Sequence, residues 1–158
     1  MKWKEGAVAG CVVRPLRRYP DDRGWLAEFF RHDELAEEFH PAMGYISLTH
    51  AGVARGPHEH VDQADGFVFF EGTYRVYLWD SRKDSPTCGC RHVFEAGEKN
   101  PTLVVVPKGV VHAYKNVGTR DAHIVNVPNR LYAGRGKKEK VDEIRHEDDQ
   151  GSPFQLEW

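Results

Sequence analysis

The sequence predicts an all-β protein, a jelly-roll barrel with one short helix, on three observations. Its apolar runs are short and rich in Val, Ile, Phe and Tyr, the residues that suit a pleated, half-buried surface. Turn residues close each run at regular intervals, as in sandwiches and barrels. Two histidine-bearing stretches, around His58 and His112, each read as strand, turn, strand.

Taken in chain order, strands are expected at 7–13 and 25–31. A helix is expected over 33–39, where Leu35, Ala36 and Phe39 share a face, and His40-Pro41 ends it because the residue before a proline disfavours helix. A strand over 44–53 follows. The stretch 66–80 reads as two strands around Glu71-Gly72-Thr73, with Gly72 closing a hairpin. A strand at 91–96 precedes Thr102 to Val106, a continuous apolar run ending at Pro107 and so a buried strand. Strands at 110–117 and 122–127 complete the set. The segment 134–151 is polar and highly charged, either a solvated connection or an arm that returns Phe154 and Trp158 to the barrel. There are no repeats and no low-complexity linker, and 158 residues fit a single domain, 1–158, with its own core.

Composition narrows the partners. Apolar residues make up 40% and charged residues 29%, ordinary for a globular chain, and the net charge of -2 argues against nucleic acid. The basic clusters at 14–18 and 137–140 are diluted by acids elsewhere and read as solvated faces. No apolar run approaches the ~20 residues of a membrane helix, so no membrane is expected. The opening Met-Lys-Trp-Lys-Glu-Gly has no apolar signal core behind it, so the expected location is cytoplasmic. Cys11, Cys88 and Cys90 are an odd set, which suits a reducing compartment, and Cys88-Gly-Cys90 has no second pair with which to bind metal.

The most informative stretch runs from Gly52 to Gly72. His58 and His60, two apart on a strand, project to one face, and Asp65 follows at the start of the next strand. A second stretch, Pro107-Lys-Gly109-Val-Val-His112-Ala-Tyr-Lys-Asn116, adds a third imidazole. His58, His60, Asp65 and His112 together suit one divalent first-row metal ion with positions open for water or substrate. The other reading is a metal-free polar pocket. No organic cofactor is expected.

The first stretch resembles the first motif of the cupin superfamily, with Asp65 where glutamate is usual. The second resembles the second cupin motif, with Pro101 where a glycine is usual. Further segments resemble the dTDP-4-dehydrorhamnose 3,5-epimerase family: Asp22-Arg23-Gly24-Trp25-Leu-Ala-Glu28, Arg55-Gly-Pro-His58, Asp80-Ser-Arg82-Lys-Asp-Ser85-Pro86-Thr87-Cys-Gly89, Val106 to His112, and Glu147-Asp148-Asp149 followed by Trp158. The resemblance implies a cupin barrel that epimerises or isomerises a 4-keto-6-deoxy sugar nucleotide in deoxysugar or polysaccharide biosynthesis. It implies a homodimer, with Arg23, Glu28, Arg55 and Asn126 on the substrate. His58 would be the base, oriented by Asp148, with His112 and Tyr132 as further catalytic residues; the position of the family's acid tyrosine falls at Asn126. The chemistry needs a base within hydrogen-bond reach of a C–H beside a ketone, and stabilisation of the enolate oxygen. Two departures bear on this: His60 stands where the family has glutamine, and Asp65 where it has lysine. A metal ion would polarise the ketone instead, yet His58 cannot serve as ligand and base in one cycle. A metal-dependent cupin acting on another small molecule, and a non-catalytic carbohydrate-binding cupin, remain open at this point.

Overall fold

A computed structural model describes residues 2–156. Its strands are β1 (Lys4–Glu5), β2 (Val12–Pro15), β3 (Tyr19–Asp21), β4 (Gly24–Leu26), β5 (Tyr45–Thr49), β6 (Ala54–Glu59), β7 (Asp65–Phe69), β8 (Thr73–Asp80), β9 (Cys90–Gly97), β10 (Thr102–Val106), β11 (Val110–Asn116), β12 (Ala122–Asn126) and β13 (Ile144–Arg145). They form a six-stranded sheet in the order β1-β9-β8-β11-β6-β13 and a five-stranded sheet in the order β2-β10-β7-β12-β5, while β3 and β4 make a separate hairpin. This is the expected jelly roll.

Alternation along the strands builds the core. Tyr74, Val76 and Leu78 of β8 point between the sheets, where they meet Phe67 and Phe69 of β7, Val104 and Val106 of β10, and Ile124 of β12. The opposite face of β8 carries Tyr77 and Trp79, which would be exposed without a cover. Phe154 packs there, buried, together with Trp3 and Leu156. The C-terminal segment therefore does return to the barrel through Phe154; Trp158 lies outside the described residues.

Four expectations need correction. The 66–80 stretch is not a hairpin, because β7 pairs with β10 and β12 whereas β8 pairs with β9 and β11. The turn at Gly72 (φ +66°) carries the chain from one sheet to the other, and a Cβ there would meet that of Ala122 at 2.5 Å. Over 33–39 there is no α-helix, only a 3-10 turn at Glu37–Phe39. Leu35 and Phe39 instead lie with Phe29 over Val68, Leu103 and Val105 on the outer face of the five-stranded sheet, so their burial comes from the sheet and not from a helical stripe. The strand expected at 25–31 stops at Leu26, and that expected at 7–13 begins at Val12.

The Asp80 to Gly89 segment is a structural knot at the barrel end. The Asp80 side chain is fully buried and accepts hydrogen bonds from Ser85 Oγ and Thr87 Oγ1, both at 2.5 Å, and from Arg82 Nε and Nη2, both at 2.9 Å. Arg82 Nη2 also reaches the Ala9 carbonyl, and the Ala9 amide donates to Thr87 Oγ1. The knot thereby ties the N-terminal segment to the barrel.

Candidate active site

One cavity of about 810 Å³ opens between the two sheets and is walled on one side by the segment 139–147. Strand β6 delivers His58, and His60 follows one residue past its end. Because they are two apart, both imidazoles enter the same space. Strand β7 begins at Asp65, and β11 places His112 directly opposite His58. Gly56 makes this approach possible, since a Cβ there would sit 2.6 Å from the His112 carbonyl oxygen at a φ of +79°.

The four expected residues do converge. Their ligand-type atoms all lie within 4.8 Å of one another. Asp65 Oδ2 receives His60 Nε2 at 2.8 Å and His112 Nε2 at 3.1 Å, with His58 Nε2 farther off at 4.0 Å. The second oxygen, Oδ1, takes the Gln63 amide at 2.7 Å. The far ring nitrogens of two histidines are also engaged: His112 Nδ1 donates to the Val110 carbonyl at 3.0 Å, and His60 Nδ1 donates to the Asp142 carbonyl. Among the described residues, the His58 ring has no hydrogen bond.

These contacts divide the charges. Burial acts to raise the Asp65 carboxyl, but the hydrogen bonds from His112 and His60 outweigh it and hold the group well below the usual carboxylate range. Burial acts to lower His60, but its hydrogen bond to Asp65 and the Asp142 carbonyl push it up to about 9. Burial, with His112 alongside, pushes His58 down to about 2, so it stands neutral.

The other expected residues separate into two groups. Arg55, Asn126 and Tyr132 line the cavity. Arg55 is fixed by Thr49 Oγ1 at 3.1 Å and the Leu48 carbonyl at 2.7 Å, and Asn126 donates to Ser47 Oγ at 3.0 Å. Tyr132 is exposed at the rim. Arg23, Glu28 and Asp148 lie elsewhere. The Arg23 side chain is 88% exposed on the β3–β4 hairpin and pairs with Asp21, while Glu28 pairs with Arg31. Asp148 pairs with Arg145 at 3.0 Å on the outside, and among the described residues no hydrogen bond joins it to His58. Residue 147 ends the stretch that lines the cavity, and the chain has turned outward by Asp148.

Sequence reasoning passed over two residues. Tyr45 lines the cavity and is the cross-strand partner of Asn126, with its hydroxyl pushed up to about 12, chiefly by burial and then by Asp65. The β5 alternation Tyr45, Ser47, Thr49 was the signal that could have found it. Asp142, in the charged segment, accepts the backbone N–H groups of Val61, Asp62 and Gln63 at 2.8, 2.8 and 2.9 Å, which fixes the loop between His60 and Asp65. No sequence pattern marks it.

A family model described as dTDP-4-dehydrorhamnose 3,5-epimerase matches residues 5–151. A probable low-salt glycan biosynthesis epimerase, Agl13, of Haloferax volcanii is 39% identical over 121 residues, 76% of this chain and 78% of that protein. The spore coat polysaccharide biosynthesis protein SpsL of Bacillus subtilis is 40% identical over 126 residues, 79% of this chain and 82% of its own. Among solved structures, a dTDP sugar isomerase from Desulfovibrio desulfuricans superposes with a TM-score of 0.78 at 23% identity, covering 94% of this chain and 91% of that one. The dTDP-4-dehydrorhamnose 3,5-epimerase of Elizabethkingia anophelis gives 0.74 at 22% identity, covering 96% and 83%. At these identities the structures speak to the fold.

Proposed function

This chain belongs to the dTDP-4-dehydrorhamnose 3,5-epimerase family and is a sugar-nucleotide epimerase, and from that premise we propose how its own residues carry the reaction. His58 is the base that removes the proton beside the 4-keto group of a deoxysugar nucleotide. Tyr45 is the acid that returns a proton to the opposite face. The observation that carries this is their placement: His58, free of hydrogen bonds among the described residues, stands on the six-stranded sheet, and Tyr45 stands on the five-stranded sheet across the same cavity. A sugar ring held between them meets the imidazole on one face and the phenol on the other. Tyr45 takes the place of the tyrosine lost at position 126, because the two positions are direct neighbours on adjacent strands. Arg55, already oriented by Thr49 and Leu48, supplies positive charge in the cavity for the substrate's polar groups.

The protein acts as a homodimer in the cytoplasm. Support for the dimer is the open edge strand β5, whose outward Ile46 and Leu48 are 69% and 38% exposed. Support for the location is that Cys11, Cys88 and Cys90 are all free thiols.

Solvent deuterium tests the catalytic assignment. With a dTDP-4-keto-6-deoxyhexose in D₂O, wild-type protein exchanges the proton beside the ketone. His58→Ala lowers exchange by ~10²- to 10⁴-fold, the usual cost of losing a general base. Tyr45→Phe retains exchange at the face of His58 but loses inversion of configuration. Full exchange in His58→Ala refutes the assignment.

A further inference from the structure

The pocket contains an arrangement that proton transfer by His58 and Tyr45 does not use. We propose that His60 Nε2, Asp65 Oδ2 and His112 Nε2 form a three-ligand site for one divalent first-row cation, and that His58 stays outside this set. The location of the substrate ketone beside the site rests on the epimerase reading. The binding of the cation does not.

The first support is tautomeric. Each of the two histidines uses Nδ1 as a donor to a backbone carbonyl, His60 to Asp142 and His112 to Val110. This is the outer contact that metal-bound histidines usually make, and it turns Nε2 inward as the ligand atom. The second is convergence: both Nε2 atoms aim at the same carboxylate oxygen, at 2.8 and 3.1 Å. A divalent ion at that point takes both nitrogens and the oxygen as ligands. The third is rigidity. Gln63 holds Asp65 Oδ1 at 2.7 Å, and the Asp142 carboxylate ties down the loop between His60 and Asp65 through three amides.

His58 differs on each count. Its Nε2 is 4.0 Å from Asp65 Oδ2, and no carbonyl anchors its Nδ1. Two imidazoles and one carboxylate are a recognised donor set for divalent first-row ions, with coordination positions left open. A bound cation supplies positive charge toward the ketone oxygen, at the position where the family resemblance places a lysine and this chain has Asp65. The division of labour also removes the conflict of one histidine acting as both ligand and base.

The test uses the full chain, stripped with chelator and loaded in turn with Co²⁺, Mn²⁺, Ni²⁺ and Zn²⁺. The readouts are bound metal per chain by elemental analysis and the visible spectrum of the Co²⁺ form. One ion per chain is expected in the wild type and in His58→Ala. Asp65→Asn, which keeps the side-chain shape, and His60→Ala should each weaken binding by ~100-fold or more while circular dichroism shows a folded barrel. Failure of all four ions to bind stoichiometrically overturns the site. Loss of the ion in His58→Ala as complete as in Asp65→Asn overturns the three-ligand division. Full-rate deuterium exchange in chelated protein overturns the cation's part in the reaction and leaves the epimerase reading intact. A bound ion without exchange on any keto-sugar nucleotide does the reverse.

Discussion

Replacing Asp80 separates the structural reading of the Ser85-Pro86-Thr87 segment from a ligand-binding one. The carboxylate is fully buried and is the common acceptor for Ser85, Thr87 and the Arg82 fork. Asp80→Ala leaves two hydroxyls and a guanidinium without their acceptor. Breaking a fully buried ion pair costs about 3–5 kcal/mol. The Arg82 side chain is 28% exposed, so water compensates part of its loss, which places the expected cost near the bottom of that range, about 3 kcal/mol. Asp80→Asn keeps an oxygen for Arg82, and the two hydroxyls can rotate to accept from its amide. Only the charge is lost, for about 1–2 kcal/mol. For a chain of this size 1 kcal/mol moves Tm by roughly 2–4 °C. Thermal unfolding followed by circular dichroism should therefore fall by roughly 6–12 °C for Ala and 2–8 °C for Asn. Neither Asp80 nor its partners line the cavity, so KM measured below the unfolding transition should stay within twofold. An unchanged Tm with a tenfold rise in KM would refute the structural reading and return this segment to the substrate.

The same carboxylate sets a pH limit. Burial acts to raise it, but the hydrogen bonds from Arg82, Ser85 and Thr87 prevail and hold it far below its ordinary range; its stabilisation is thus present above the unfolded value of about 3.9 and is lost as pH falls below that toward the folded value. The difference in urea midpoint between wild type and Asp80→Asn should stay constant from pH 7 to 5 and shrink below about pH 4, and a difference that does not change with pH would sink the idea. For the dimer, sedimentation at micromolar concentration should give twice the chain mass for wild type and the single mass for Ile46→Asp, which puts a charge on the exposed apolar face of β5; a monomeric wild type rules the dimer out.

The fold was legible where one local rule decided the outcome. Thr102 to Val106 reads as a buried strand because every residue of the run is apolar or small, and it is one, buried throughout. The exchange between sheets at Gly72 was not legible, because a strand-turn-strand pattern looks the same whether the strands pair with each other or with others. The short helix failed for a related reason: three apolar residues at helical spacing are also what a loop needs to cover a sheet face. In the site, His58 and His60 were legible through their two-residue spacing, and Asp65 and His112 through the two stretches that resemble the cupin motifs. Asp148 was expected beside His58, but proximity in the charged tail does not say which residue turns inward, and the inward-turned Asp142 fixes the loop between His60 and Asp65 without touching His58.

The paired departures at 60 and 65 make sense once their charges are added together. Taken singly, an acid where the family resemblance places a lysine would set a negative group beside a developing enolate, which raises the barrier. The structure shows that Asp65 never acts singly: its two oxygens are consumed by Gln63, His60 and His112. Added together, the exchanges take the local charge from one positive unit to none at most, since histidine for glutamine adds one unit and aspartate for lysine removes two. A divalent ion held by His60, Asp65 and His112 would add two units against the one of the carboxylate and bring the net charge back to one positive unit, that of the lysine. His58, which belongs to neither exchange, keeps the one function that cannot be shared.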